Sequence, residues 1–139
     1  MARLAALAVV TSEDAARLQQ RLRLSNAEAG LLGATAVPET WLRGREFLLH
    51  KKHFDVFTNP NAELLLEHFK PDEIVLFGVA TDICDDAAVR ALLRRGRRIA
   101  FVEDASRGVD EARIAACTAA WREAGVRFAT AEEAVASLG

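Results

Sequence analysis

From Leu48 onward, short apolar runs alternate with stretches of helical spacing, and few architectures accommodate that order. The run Ile74–Val75–Leu76–Phe77 is unbroken by any polar residue. Such a run fits a strand buried on both faces. Strands are predicted over 46–50, 74–79, 98–102 and 126–129, and helices over 62–69, 82–95, 109–124 and 131–138. Asn61 or Thr58 is the candidate cap of the first of these helices, and Pro71 closes it. Gly96 and Gly125 stand where the next two helices end. Strand–helix alternation implies a parallel sheet with helices packed on it. The predicted class is therefore α/β, a three-layer parallel sheet with helices on both faces.

The N-terminal third reads less sharply. Leu4–Val10 is a strand candidate, and Thr11 or Ser12 would cap a helix reaching about Leu24. Residues 25–38 are rich in Ala and Gly and read as a surface connection. Residues 39–42 form a helical turn after Pro38. No internal repeat or low-complexity tract interrupts the chain. At 139 residues, 51% of them apolar, the whole chain 1–139 is expected to be one domain with a real core.

Charge narrows the partners. Eighteen basic against twenty acidic side chains give a net charge of −2, so no field gathers nucleic acid or anionic lipid. Arg94, Arg95, Arg97 and Arg98 flank a Gly turn and suit a helix end, where cations meet the dipole. The opening MARLAALAVV is too short to span a membrane and lacks a clear cleavage site. Two cysteines without secretory context suggest the reducing cytoplasm.

One of those cysteines is placed for chemistry. Cys84 falls at the turn from the 74–79 strand into the next helix. Unpaired amides and the positive end of the helix dipole collect there and favour thiolate, the nucleophilic form. The competing reading is a small buried hydrophobe. Cys117 keeps helical spacing with Ile114 and Trp121 and is expected to face core. Lys51, Cys84 and Asp104 each follow a predicted strand directly, and ligands of parallel sheets bind at the carboxyl ends of strands. His53 reads as an acid–base group or, in preference, a surface side chain beside a strand end, and Asp104 as either a site residue or a turn or helix cap.

Three segments resemble the cysteine hydrolases of the isochorismatase-like family, which includes nicotinamidases. They are Lys51–Lys52–His53–Phe54–Asp55–Val56–Phe57, Gly78–Val79–Ala80–Thr81–Asp82–Ile83–Cys84, and Gly96 through Val102–Glu103–Asp104–Ala105. Thr58–Asn59–Pro60–Asn61 fits one subgroup, and Gly33 through Pro38–Glu39–Thr40 is more weakly similar to the loop before the lysine strand. The motif-bearing part is about 46–130.

The resemblance implies an Asp–Lys–Cys triad. Cys84 would be the nucleophile, and Lys51 a nearby cation favouring the thiolate. Lys52 is the alternative, but the spacing to Phe57 favours Lys51. It also implies a cis peptide just before Ala80 and an oxyanion hole from the Ala80 and Cys84 amides. Phe57, with Phe54, reads either as the wall of a substrate pocket or as packing under the loop.

Two departures stand out. The family's first strand ends in the catalytic Asp, usually followed by Gln, and no residue here matches it. Leu7–Val10 with Thr11–Asp14 better fits the family's second strand and its loop, so the fold is expected to lack the Asp-bearing strand, which would pair beside the Cys84 strand. Asp85 follows Cys84 where the family is usually apolar.

No cofactor is implied. No metal site is expected, because Asp14 has no His near it and His50, His53 and His68 lack matching spacing. The expected function is hydrolysis of the C–N bond of a small carboxamide through a Cys thioester. The alternative is a truncated or impaired relative serving as a binding or oligomerisation domain. The expected partners are the amide substrate and further copies of the chain, since a missing central strand would leave apolar edges.

Overall fold

The apolar run at 74–77 lies in β2, Glu73–Gly78, in a computed structural model that describes residues 4–9, 49 and 51–138. Packing divides the chain into two compact units, Met1–Val9 with Phe69–Gly139, and Val10–His68.

In the first unit four parallel strands stand in the order β1, β2, β3, β4. These are β1 Leu4–Val9, β2, β3 Ile99–Val102 and β4 Arg127–Ala129. β1 runs beside β2 in register from Leu4 opposite Glu73 to Val9 opposite Gly78. The neighbour of β2 on that side is thus a strand without a carboxylate, and β2 is paired along both edges.

All four residues of β3 are buried, as a strand covered on both faces requires. Side chains alternate between the faces. On one face Val75, Ala100 and Val102 cluster with Ala134 of the last helix, and Phe77 packs against them. On the other, Phe101 meets Trp121 edge-on, ring centroids 5.0 Å apart. Helices therefore lie on both faces, and the predicted α/β class holds.

Three helices belong wholly to this unit. We label them α2 Asp86–Arg94, α3 Glu111–Glu123 and α4 Ala131–Leu138, after α1, Pro60–Phe69. Gly96 and Gly125 follow α2 and α3 with φ of 66° and 89°, a left-handed turn that glycine adopts without penalty. α4 opens on a reciprocal capping box. The Glu133 amide donates to Thr130 Oγ1 at 3.2 Å, and the Thr130 amide to Glu133 Oε2 at 2.9 Å.

Asp104 serves a helix start from the end of β3. Its Oδ1 accepts the Ala131 amide at 2.7 Å, at the start of α4.

The described part of the second unit is a loop, a 3-10 turn over Val56–Thr58, and most of α1. The cap of α1 is neither Asn61 nor Thr58. Asn59 Oδ1 accepts the Asn61 amide at 2.9 Å, and Pro60 takes the first helical position, where its missing N–H costs nothing. Thr58 Oγ1 instead donates to the Asp55 carbonyl at 2.7 Å.

Leu49 lies in no regular element. The rest of the predicted 46–50 strand, the helix to Leu24, the 25–38 connection and the 39–42 turn lie outside the described residues. Among the described residues no helix is long and apolar enough to cross a membrane.

Candidate active site

β2 delivers its chain to the carboxyl edge of the sheet, where parallel α/β folds bind ligands. The helix predicted from residue 82 does not start there. Thr81–Asp85 forms a wide π-helical turn, and α2 begins only at Asp86. The Asp85 amide reaches back five residues to the Ala80 carbonyl at 3.1 Å, and the Ile83 amide shares that acceptor at 3.0 Å. Cys84 thus sits in this turn, one residue short of the regular helix, buried at 9% exposure. Neither cysteine is in a disulfide.

The peptide between Val79 and Ala80 is cis, as the resemblance implies. Its flanks are tied to the loop after β3. The Gly78 amide donates to Ser106 Oγ at 3.1 Å, and the Gly78 carbonyl accepts the Arg107 amide at 3.2 Å. The Thr81 amide donates to the Arg107 carbonyl at 2.9 Å. Ser106 is itself buried and donates to the Val102 carbonyl at 2.8 Å. Sequence reasoning missed Ser106 and Arg107. Their signal is position alone, directly after the Asp104–Ala105 pair at the end of the neighbouring strand.

The other side of the turn is held by Asp82, whose side chain is shut off from solvent. Its carboxylate accepts the Val109 amide at 2.8 Å and the Asp110 amide at 3.2 Å, and pairs with Arg113 at 3.0 Å. The Val109 amide, the largest cause, helps hold this carboxyl below its ordinary range, with the Asp110 amide and Arg113 acting the same way. Gly108 packs closely beside it. A Cβ there would run into the Ile114 side chain and stand 2.9 Å from Asp82 Oδ1. From sequence, Asp82 counts only as extra negative charge near Cys84. In the fold that charge is matched by two amides and a guanidinium.

Asp85 is fully buried. It occupies the cap position of α2 in helical conformation, and its side chain makes no capping bond. Asp86 is bonded twice, accepting Trp121 Nε1 at 2.9 Å and pairing with Arg90 at 2.8 Å. Cys117 faces core as predicted, with its Sγ 3.3 Å from the Ile114 carbonyl. Burial, then the charges of Asp86 and Asp82, push its thiol up.

In the second unit, Lys51 is half-buried in the loop before the 3-10 turn, its Nζ donating to the His53 carbonyl at 3.1 Å. Phe57 is half-buried within that turn, its amide donating to Asp55 Oδ1 at 2.9 Å. Ala80 and Cys84 lie together on one turn of the first unit. Lys51 and Phe57 lie six residues apart in the second. Among the described residues no three His, Cys, Asp or Glu side chains gather as a metal-binding group.

A buried cysteine in a turn at the carboxyl end of a parallel strand marks a candidate nucleophile site on an α/β sheet. The family model for the isochorismatase domain matches residues 2–133, and the chain belongs to that family. Among solved structures, the chain is similar to YcaC from Pseudomonas aeruginosa, with 17% identity and a TM-score of 0.60, over 92% of this chain and 76% of that one. It is also similar to the nicotinamidase PncA from Bacillus subtilis, with 21% identity and a TM-score of 0.54, over 57% of this chain and 44% of that one. PnC1 from L. infantum, solved with nicotinate, is 24% identical with a TM-score of 0.53, over 58% of this chain and 43% of that one. At these identities the likeness is one of fold. The matches span less than half the length of the PncA and PnC1 chains. Among curated proteins, none matches the chain in sequence.

Proposed function

We propose that the chain is a cysteine hydrolase that cleaves the C–N bond of a small carboxamide, with Cys84 as nucleophile. One observation carries the reading: Cys84 lies in the turn at the carboxyl end of β2, directly after the Ala80 segment held from both flanks. In this scheme the Cys84 thiolate attacks the amide carbon, and a C–S bond forms as the C=O electrons move onto oxygen. The amides of Ala80 and Cys84 stabilise that oxyanion. Re-forming C=O breaks the C–N bond. The proton given up by the thiol leaves on the nitrogen, so ammonia departs and a thioester remains. Water then attacks the thioester carbon, the C–S bond breaks, the sulfur regains a proton and the acid is released.

Lys51 is the cation that would hold the thiolate, and Phe57 the ring that would wall the substrate. The family resemblance assigns the proton transfers to an Asp on its first strand, and no residue of this sequence matches that Asp. The covalent acrylamide in the YcaC structure lends support in kind, since acrylamide is an electrophile toward thiolates.

Nicotinamide hydrolysis, followed as ammonia release, tests the reading. Turnover abolished by Cys84→Ala supports it. A wild-type chain whose Cys84 reacts with iodoacetamide no faster than a cysteine peptide, and which releases no ammonia, refutes it.

A second reading has its own observation. Asp85, a fully buried carboxylate, stands next to Cys84 where the family is usually apolar, and like charge opposes a thiolate. An impaired relative acting as a binding or self-associating module would show no Cys84-dependent turnover and would sediment as an oligomer.

A further inference from the structure

We propose that Ser106 is a positioning residue for acyl transfer, setting the Ala80 amide through the backbone of Gly78. The inference rests on the amidase reading and extends it to a residue outside the triad. Ser106 Oγ is the junction of two strand ends. It accepts the Gly78 amide at 3.1 Å and donates to the Val102 carbonyl at 2.8 Å. One hydroxyl thereby uses a donor and an acceptor role at once, which Ala or Val in its place would leave empty. The next residue continues the clamp. The Arg107 amide donates to the Gly78 carbonyl at 3.2 Å, its carbonyl accepts the Thr81 amide at 2.9 Å, and Arg107 bridges to Val79.

The segment from Gly78 to Thr81 is therefore held at both ends by two consecutive residues of another loop. Ala80 lies inside that bracket, and its own carbonyl is pinned by the Ile83 and Asp85 amides. An oxyanion donor stabilises a transition state only when it is fixed before the charge develops. Ser106 supplies that fixity at Gly78, the near end of the bracket, while touching neither substrate nor thiol in the proposed scheme. Its burial, at 5% exposure, keeps water from substituting for its bonds.

Two reactions of Cys84 separate positioning from general damage. Acylation by p-nitrophenyl acetate develops an oxyanion and releases nitrophenolate; alkylation by iodoacetamide develops none. In the full chain, Ser106→Ala is expected to slow Cys84 acylation by about 10-fold or more, while alkylation of Cys84 stays within about twofold of wild type. Ser106→Thr, which keeps the hydroxyl, is expected to restore most of the acylation rate. Equal acylation rates in wild type and Ser106→Ala overturn the proposal. So do parallel losses in acylation and alkylation, or a Ser106→Ala chain that does not fold, because either makes Ser106 a stability residue alone. A wild-type chain with no acylation beyond that of Cys84→Ala refutes the amidase reading itself, and the inference with it.

Discussion

The Asp82 carboxylate accepts the Val109 amide at 2.8 Å, joining the turn that holds Cys84 to a loop 27 residues further along the chain. This bond helps hold the Asp82 carboxyl below its ordinary value of 3.8. A depressed folded value adds stability above the unfolded value, and that stability is lost as pH falls through the folded one. Asp82→Asn should be less stable than wild type at about pH 7, with the gap narrowing as pH drops below about 4. Urea melts at a series of pH values check this. A gap that stays constant into acid would mean the charge of Asp82 contributes nothing.

Gly108 is locked against the same site. A Cβ there meets the Ile114 side chain and approaches Asp82. Overpacking of this kind costs about 1–3 kcal/mol. Gly108→Ala is expected to lose that much in denaturant melts. Adding Ile114→Val or Ile114→Ala should recover part of it, since the clash is largely with the Ile114 side chain. A double variant no more stable than Gly108→Ala would place the cost in the backbone instead.

Trp121 connects the sheet to the first turn of α2. Its ring packs on Phe101 and its Nε1 donates to Asp86, while it is 1% exposed. Trp121→Ala should cost about 3–5 kcal/mol, the usual loss for a buried aromatic. Asp86→Ala should cost about 1.5–3 kcal/mol, as for a hydrogen bond to a charged group. The two losses should fall short of additive, because each variant removes the same bond. Strict additivity in a double-mutant cycle would show that the bond is energetically idle.

Cys117 should be the inert thiol. Burial and two nearby carboxylates push it up, so almost none is thiolate near neutral pH. Mass-spectrometric mapping after brief iodoacetamide treatment should find Cys117 labelled at least about 10-fold more slowly than in the unfolded chain. Labelling at the unfolded rate under native conditions would contradict the buried placement.

Much of the second half of this protein is legible one residue at a time. The run at 74–77 becomes β2, Gly96 and Gly125 end their helices, and the 131–138 helix appears with those bounds. These features are local: apolar runs, helical spacing and left-handed turns depend on neighbours in the chain. The cap of α1 is local too, yet it falls on Asn59, because a proline at the first helical position selects the residue before it.

The site divides along the same line. Cys84 at a strand-to-helix turn, the family motifs around it and the core-facing Cys117 all follow from the sequence. Several things do not. Asp82 is a clamp whose charge is matched, Asp104 caps α4, and Ser106 with Arg107 brackets the Ala80 segment. Pairing β1 beside β2 is another, since nothing in LAALAV names its partner. Each of these joins residues far apart in sequence. Hydrophobic period and turn chemistry set what a segment becomes, whereas hydrogen bonds between strand ends depend on which ends the folded sheet brings together.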